Sequence, residues 1–279
     1  MKASDVMSSP VRTVSPADTI AHARRLMIRH HISRLLVVED GELSGILTKK
    51  DLAYRLRQGE PAWRRRPIDS IPVSIASVKD PVTVRPGSGI REIAAVFVAN
   101  GISSVPVVEN DEILGIVTKS DLMKSALFQQ LSGPVSDVME DVVTVSRLHS
   151  LDHVIDVMSE RNDKVVVVNN DGSIAGIITE TNLAFFDMVH KISVHAQKDV
   201  AVRRRNPSGG SRLKEALAVS PVTAEDIMTA PVQTTGPSTP LNRAIESMNQ
   251  HSINSLVVVD DNDLAGIIKR DDIIRAVAK

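Results

Sequence analysis

The sequence predicts an α/β (α+β) fold in which four tandem β-α-β-β-α repeats pair through their sheets into two modules. A short phrase that begins with glycine and two apolar residues occurs four times, as GILTKKD, GIVTKSD, GIITETN and GIIKRDD. A threonine lies 32 residues before each of these glycines, at positions 13, 83, 144 and 234. Constant spacing of this kind indicates internal repeats. A unit of this size buries too little surface to be stable alone, so we expect each repeat to pack against a neighbour.

Each repeat begins with a short strand and an amphipathic helix. In the first copy, VRTV at 11–14 has the character of a strand and a Ser-Pro turn follows it. Residues 19–30 then carry apolar side chains at helical spacing, which predicts one face buried in a core. The fourth copy has Ser-Thr-Pro at 238–240. This tripeptide predicts an N-cap followed by proline in the first helical position.

The second half of each repeat is a hairpin followed by a helix. The runs RLLVV and SGIL are rich in β-branched and aliphatic residues and are joined by a turn, EDGEL, so they predict two buried antiparallel strands. The recurring phrase therefore ends a strand and starts the last helix. The connections at 58–80 and 187–224 are the longest and hold the Pro/Gly-rich and Arg-rich segments.

The composition excludes several classes of site. The chain has 279 residues, a net charge of -1 and no cysteine, which rules out disulfides and thiolate metal sites. One Trp, one Tyr and four Phe leave few rings for stacking, so a single-stranded nucleic-acid platform is disfavoured. The first residues lack an apolar signal region and no apolar window is long enough to cross a bilayer. We therefore expect a soluble, cytoplasmic protein without a membrane segment.

The repeats carry a family resemblance. The starts D-V-M at 5–7 and 137–139, the TVSP turn and the G-h-h-T-x-x-D ending (h, apolar) resemble cystathionine-β-synthase (CBS) domains. Four copies in register make this resemblance specific. It divides the chain into repeats at 1–57, 71–127, 135–187 and 223–279, with an Arg/Gly-rich connection at 188–222.

The resemblance implies that successive repeats form two Bateman modules, here the first module (repeats 1 and 2) and the second module (repeats 3 and 4). The two modules are expected to stack into a disc, either within one chain or through a homodimer. The implied function is a non-enzymatic, energy-sensing regulator. It would bind AMP, ADP, ATP or S-adenosylmethionine between paired repeats and signal to an unidentified partner protein by a conformational change.

Two other functions remain open from the sequence. Two arginine runs, Arg64–Arg66 and Arg203–Arg205, could contact nucleic acid. The near-zero net charge disfavours this role. The chain could also be an oligomerisation scaffold with vestigial clefts. We find no nucleophile elbow, P-loop or dinucleotide fingerprint, so no catalytic residue is predicted.

The Thr-x-x-Asp ending has two interpretations. It can be a capping box, in which the threonine hydroxyl and the carboxylate satisfy free N–H groups at a helix start. It can also bind a ligand, because a helix N-terminus attracts phosphate and a carboxylate accepts from a ribose diol. The resemblance favours the second interpretation. It assigns the ribose and phosphate contacts to Thr48, Asp51, Thr118 and Asp121.

The turn before the second strand is the other part of the implied site. In CBS domains this turn gives adenine contacts, often from the partner repeat, and polar groups for phosphate. The matching residues are Ile32, Ser33, Arg34, Ile102, Ser103 and Ser104. Arg34 could fork onto a phosphate or be a solvated arginine at a strand edge.

The second module departs from the pattern. Repeat 3 keeps Thr179 but has Asn182 in place of the aspartate, which weakens the grip on a diol. Repeat 4 keeps Asp272 but has Lys269 in place of the threonine, and this lysine could neutralise a phosphate or be a surface charge. Asp163 places an acidic group where a phosphate would approach. We expect a second module that is structural or that binds a different ligand.

A metal site is not expected. His149 and His153 are four residues apart with Asp152 between them, a spacing that can place two imidazoles on one helical face. His149 is predicted to precede the helix start at Ser150, and no third ligand is near in the sequence.

Overall fold

A computed structural model of the chain describes residues 1–52, 70–158, 163–185 and 222–278. The strands are β1 Thr13–Val14, β2 Arg34–Glu39, β3 Glu42–Thr48, β4 Val78–Lys79, β5 Ser104–Glu109, β6 Glu112–Thr118, β7 Thr144–Ser146, β8 Lys164–Val168, β9 Ile174–Thr179, β10 Thr234–Thr235, β11 Ser255–Asp260 and β12 Asp263–Lys269. The helices with both ends in these ranges are α1 Ala3–Val6, α2 Ile20–Arg29, α3 Val73–Ala76, α4 Ile90–Asn100, α5 Lys119–Met123, α6 Ala126–Gln129, α7 Leu151–Val157, α8 Ala224–Ile227, α9 Leu241–Gln250 and α10 Arg270–Ala278.

Each repeat contains the predicted antiparallel hairpin. In the first, β2 pairs with β3 so that Val37 faces Gly45, and β1 lies parallel to β2. The tight turn places Asp40 and Gly41 at positive φ, a conformation that suits these two residue types. The equivalent hairpins β5–β6, β8–β9 and β11–β12 have the same register, with a bulge after the equivalent valine.

The first strand of repeat 2 differs from the prediction, because it is reduced to a single bridge between Val84 and Val107. In repeat 1 the N–H of Leu36 donates to the carbonyl of Arg12 and extends the pairing. The residue equivalent to Leu36 is Pro106, which has no N–H to donate. The ladder therefore stops one bond earlier.

The long helices follow the predicted pattern with one correction. Helix α2 lies within the predicted helical stretch 19–30 and is capped by Thr19, whose hydroxyl accepts from the His22 N–H at 3.2 Å. In repeat 4 the prediction was wrong by one residue: α9 starts at Leu241, and Pro240 is the N-cap rather than the first helical residue. The Leu241 N–H donates to the Gly133 carbonyl of a neighbouring segment, which holds Pro240 in an extended conformation.

The first residues of each repeat lie on the sheet of its partner repeat. We call these stretches the crossing segments, and they comprise residues 3–8, 73–79, 135–140 and 224–229. Ser8 pairs with Ile116 of repeat 2, and β4 extends the sheet of repeat 1 beside β3. The second module repeats the exchange, with backbone pairs from residue 140 to residue 267 and from residue 229 to residue 177. Successive repeats are thus paired into two modules, as the sequence predicts.

The packing of each crossing segment on the partner's sheet explains the recurring glycine. A Cβ atom on Gly45 would lie 2.8 Å from the Val78 carbonyl oxygen, and one on Gly266 would lie 2.6 Å from the Glu140 carbonyl oxygen. At Gly115 the obstruction is the sulfur of Met7, at 2.7 Å. Real Cβ atoms do not approach other atoms so closely, so glycine is the residue that lets the crossing segment lie against the strand.

Two apolar cores join the modules inside one chain. One core contains Phe97 of repeat 2 and Phe128, which follows that repeat, together with Met248 and Ile274 of repeat 4. The other contains side chains of repeats 1 and 3, including Met27, Leu47, Val154 and Leu183. The two modules therefore pack side by side through their helices. Within the described ranges, no helix has both the length and the apolar character needed to span a bilayer.

Candidate ligand-binding clefts

A cleft of about 240 Å³ lies between repeats 1 and 2. From repeat 1 it is lined by Val11 and Arg12, by Ile32 and Ser33 of the turn before β2, and by Arg34, which is the first residue of β2 rather than part of the turn as predicted. From repeat 2 it is lined by Ile116, Thr118 and Ser120, and the crossing segment adds Ser8. The fold thus places the predicted residues Ile32, Ser33 and Arg34 of repeat 1 opposite Thr118 of repeat 2, while Asp121 is not among the residues that line the cleft.

The Thr118–Asp121 pair forms a capping box at the start of α5. The Asp121 Oδ2 atom accepts from the Thr118 N–H at 2.9 Å and from the Thr118 hydroxyl at 2.6 Å. The Asp121 N–H in turn donates to that hydroxyl at 3.3 Å. The cap uses a single carboxylate oxygen, and no described residue donates a hydrogen bond to Oδ1 of Asp121. Capping therefore leaves an acceptor for another partner.

Thr48 and Asp51 form the same cap at the end of β3. The Asp51 Oδ2 atom accepts from the Thr48 N–H at 2.6 Å and from the Thr48 hydroxyl at 2.7 Å. Burial raises the pKa of Asp51 above its ordinary value, while the hydrogen bonds from Thr48 oppose the rise. Residues 53–69, which follow this cap, lie outside the described residues.

Arg34 is a half-buried side chain that crosses from one repeat to the other. Its Nη1 atom donates to the Ser103 carbonyl at 3.0 Å. The pKa of Arg34 is lowered to about 10, chiefly by burial; the negative charge of Asp121 opposes this change and the positive charge of Arg270 adds to it. Ser103 also accepts from the Lys119 N–H, Ser104 is buried, and Ile102 packs on the core of repeats 2 and 4.

Arg270 of repeat 4 is a residue that the sequence interpretation missed. Its Nε atom donates to the Ile253 carbonyl and its Nη2 atom to the Met248 carbonyl, at 3.0 and 3.1 Å. Its Nη1 atom is buried, and no hydrogen-bond partner for it occurs among the described residues. Burial lowers the pKa of Arg270 to about 10, and Asp121 opposes this change. No local pattern in repeat 4 indicates that this arginine faces a charge of repeat 2.

A third cation completes a crowded group. The pKa of Lys49 is lowered by burial and by the charge of Arg34. Arg34 thus interacts unfavourably with Arg270 and with Lys49, and the negative charge of Asp121 opposes the lowering of the pKa of Arg34 and of Arg270. A bound anion would relieve this repulsion.

In repeat 3, Asn182 forms the same cap with Thr179 through its side-chain oxygen, and its amide nitrogen binds other groups of the protein. The Asn182 Oδ1 atom accepts from the Thr179 N–H and hydroxyl at 2.9 and 2.8 Å. Its amide nitrogen donates to the Ile227 carbonyl at 2.8 Å and to the Thr229 hydroxyl at 3.0 Å. Both ends of the side chain are therefore engaged within the protein.

In repeat 4 the lysine and the aspartate belong to an ion-pair network. The Lys269 N–H donates to Asp272 Oδ2 at 2.8 Å, which preserves the backbone half of the cap. The Lys269 ammonium lies 2.8 Å from Glu140 Oε2 and 3.6 Å from Asp163 Oδ1. Arg275 lies 2.8 Å from the other oxygen of Glu140. Lys269 is thus paired with two carboxylates rather than extended into solvent.

The histidines and the arginine runs add no described site. The rings of His149 and His153 meet edge to face with centroids 4.3 Å apart. As predicted, His149 precedes the helix, which begins at Leu151 with Ser150 as its N-cap, one residue after the predicted start. No cluster of three metal-binding side chains occurs in the described part of the chain. Arg64–Arg66 and Arg203–Arg205 lie outside the described residues.

The model of the CBS domain family matches the chain four times, at residues 3–58, 68–127, 135–188 and 224–279. The chain belongs to the CBS domain family. Its fold is similar to that of protein MJ1225 from Methanocaldococcus jannaschii, with a TM-score of 0.79 and 21% identity over 99% of both chains. An uncharacterized conserved protein from Pyrococcus horikoshii gives a TM-score of 0.62 at 16% identity, over 99% of this chain and 100% of that one.

Among curated proteins, this CBS-domain chain is 31% identical over 130 residues to the CBS domain-containing protein YhcV of Bacillus subtilis. That match covers 46% of the chain and 88% of YhcV. The sequence match to MJ1225 is 31% over 127 residues and covers 43% of the chain and 45% of that protein. These relatives establish the family and the fold, and the ligand has to be argued from the clefts.

Proposed function

We propose that this CBS-domain protein is a non-enzymatic sensor that binds a phosphorylated adenosine ligand, AMP, ADP or ATP, in the cleft between repeats 1 and 2. The observation that carries the proposal is that three structural features occur together at this cleft. An aliphatic strand edge, a helix cap with an unused carboxylate oxygen and a group of crowded cations all belong to this cleft or adjoin it. Each feature suits one part of a nucleotide.

Different residues contact the base, the ribose and the phosphate of the proposed ligand. Ile32 and Val11 offer aliphatic surface for the base, which suits a chain with few aromatic rings. The Asp121 Oδ1 atom is available to accept from the ribose hydroxyls. Thr118 and Arg34 supply polar and cationic groups for phosphate.

The cations distinguish between the candidate ligands. The charge of Arg270 adds to the lowering of the Arg34 pKa by burial, and the charge of Arg34 does the same for Lys49. Phosphate groups would neutralise this cluster, whereas the sulfonium of S-adenosylmethionine would add a further positive charge. We therefore expect the nucleotides to bind more tightly than S-adenosylmethionine.

Signalling follows from the position of the cleft. A ligand that touches both repeats stabilises one relative orientation of their sheets, and only a difference in affinity between two orientations shifts their populations. Because repeats 1 and 2 each share a core with a repeat of the second module, a change of orientation is carried to that module. We propose that a partner protein detects this change.

The test is calorimetric titration of the full chain with AMP, ADP, ATP and S-adenosylmethionine, for the wild type and for Asp121→Asn. Asn182 shows that asparagine can form this cap. The variant should therefore fold, yet lose the charged acceptor. A charge-assisted hydrogen bond contributes about 1.5–3 kcal/mol, so we expect affinity to fall about tenfold or more.

Asp226→Asn is the matched control. Asp226 forms the same cap with Thr223, at 2.8 and 2.9 Å, in an exposed crossing segment. Its substitution should leave the affinity unchanged. Absence of binding for all four ligands, or equal affinities for the wild type and Asp121→Asn, would contradict the proposal.

A further inference from the structure

The second module has a cleft position equivalent to the one described, and ion pairs cross it. Glu140 holds the place of Ser8, because each pairs its backbone with the same strand of the partner repeat, at Ile267 and Ile116 respectively. Lys269 holds the place of Thr118, as the register of the two hairpins shows. In the first module Ser8 and Thr118 line an open cleft. In the second module their counterparts bind each other at 2.8 Å.

A second carboxylate enters from the opposite wall. Asp163 precedes β8 as Ser33 precedes β2, and Ser33 lines the cleft of the first module. The Asp163 carboxylate lies 3.6 Å from the Lys269 ammonium and also pairs with Lys164. Two acidic side chains therefore replace the two serines that line the cleft of the first module.

The electrostatics of the network agree with strong pairing. Burial would raise the pKa of Glu140, but its hydrogen bonds with Lys269 and Arg275 outweigh this and lower the pKa to about 2. Burial lowers the pKa of Lys269, yet Glu140 and Asp163 raise it above its ordinary value. The ammonium that could have received a phosphate is already neutralised inside the protein.

We propose that Glu140 acts as a resident anion that, with Asp163, excludes phosphorylated ligands from the cleft between repeats 3 and 4. An entering phosphate would have to separate the Glu140–Lys269 pair and then lie beside two carboxylates. Repulsion between neighbouring like charges is large in a half-buried site. The chain is thereby asymmetric, with nucleotide binding confined to the first module. The identity of the excluded ligand rests on the proposed function, whereas the closure of the cleft rests on the ion pairs.

The alternative is that Glu140 only fastens the crossing segment to α10 through Arg275. The two roles predict different results when the carboxylates are removed. A purely structural ion pair would leave the number of bound ligands unchanged, whereas a resident anion would release a binding site.

The experiment is calorimetric titration with ATP of the full chain in three forms: wild type, Glu140→Ser/Asp163→Ser and Ser8→Glu. The double variant installs the serines of the first module in the second. We expect it to bind one more ATP per chain than the wild type. The reciprocal variant places a carboxylate at an exposed position of the first module. We expect it to weaken ATP binding about tenfold or more, because the new charge opposes about as much free energy as one charge-assisted hydrogen bond supplies.

Glu246→Ser is the control for removal of an ion pair. Glu246 pairs with Arg243 on the exposed face of α9, and its loss should not change the stoichiometry. A folded double variant with unchanged stoichiometry would overturn the inference. If the double variant fails to fold, Ser8→Glu decides, and unaltered ATP affinity in that variant would equally overturn it. Absence of ATP binding to the wild type would contradict the proposed function alone, since the double variant could still gain a site.

Discussion

Asp272 is a buried carboxyl group of the second module whose hydrogen bonding is incomplete among the described residues. Its Oδ2 atom accepts from the Lys269 N–H, whereas Oδ1 is buried without a hydrogen-bond partner among the described residues. Burial, together with the negative charge of Glu140, raises its pKa from 3.8 to about 7. The carboxyl group is therefore only partly ionised near neutrality.

The shift predicts how stability depends on pH. Between pH 3.8 and about 7 the folded chain holds a proton on Asp272 that the unfolded chain has lost. The free energy of unfolding should thus fall as the pH rises through this window, by up to about 1.4 kcal/mol per pH unit for one proton. In Asp272→Asn, the free energy of unfolding should depend less steeply on pH. Urea unfolding curves recorded at intervals from about pH 4.5 to about pH 7.5 measure this dependence.

Two comparisons isolate this effect. Glu140 has its pKa lowered from 4.5 to about 2, so the stability it contributes is lost as the pH falls from 4.5 to about 2, below the range of the unfolding measurements. Asp261, in the exposed turn between β11 and β12, has a positive φ that asparagine also tolerates, so Asp261→Asn should leave the slope unchanged. An unaltered slope in Asp272→Asn would show that another group dominates the titration.

The sequence predicted the cap residues but only part of their surroundings. Thr118 and Asp121 could be placed at a helix start because the strand pattern ends there. The contact between Arg34 and the Ser103 carbonyl, and the approach of Arg270 to Asp121, join residues far apart in the chain. Nothing in the local spacing indicates which arginine meets which carboxylate, so these contacts required the three-dimensional structure.

The elements themselves were predictable because hairpins and helices have local periodicities. The placement of the crossing segments was not predictable. A D-V-M-like sequence favours a short helical turn, but it does not indicate which repeat of a pair that turn packs against. The signal that could have found them is the glycine of the recurring phrase, because a strand interior tolerates glycine poorly unless another backbone approaches closely.

The close approach gives a prediction for the glycines. Gly266→Ala would place a Cβ atom 2.6 Å from the backbone oxygen of Glu140, which cannot rotate away. Either the crossing segment or β12 must move, so we expect a loss of about 1–3 kcal/mol in the free energy of unfolding, the usual cost of overpacking. Urea unfolding of the full chain measures it.

Gly87→Ala is the control for this substitution. No atom lies within 4 Å of a Cβ atom at Gly87 apart from its chain neighbours. Its stability should change by less than about 0.5 kcal/mol, as is usual for surface substitutions. Equal effects of the two substitutions would mean that the crossing segment is not held tightly against the strand.

At the scale of the whole molecule, the two cores tie together repeats that are not consecutive. Phe97 in repeat 2 is buried in the same core as Met248 and Ile274 in repeat 4. The sequence left open whether the modules associate within one chain or through a homodimer, because all four repeats present similar apolar helix faces. The structure shows the association within one chain.

The shared core predicts that a destabilising substitution in repeat 2 also destabilises repeat 4. Phe97→Ala should lower the free energy of unfolding by about 3–5 kcal/mol, the usual cost of truncating a buried phenylalanine. Hydrogen exchange should show faster opening in repeat 4, at α9 and α10, as well as in repeat 2, because both lose packing in one core. Repeats 1 and 3 should be less affected.

Val98 offers the contrast within the same helix. Its side chain is exposed, and Val98→Ala should leave exchange in repeat 4 at the wild-type rate. Faster exchange confined to repeat 2 in Phe97→Ala would indicate that the two repeats open independently of each other.

The crossing segments also constrain how such a chain can change in length over evolutionary time. Deletion of one repeat would leave one sheet without its covering segment and one segment without a sheet. Duplication of a single repeat would create the same two defects. Only gain or loss of repeats in twos keeps every segment matched to a partner, so the heritable unit of this architecture is the pair rather than the single repeat.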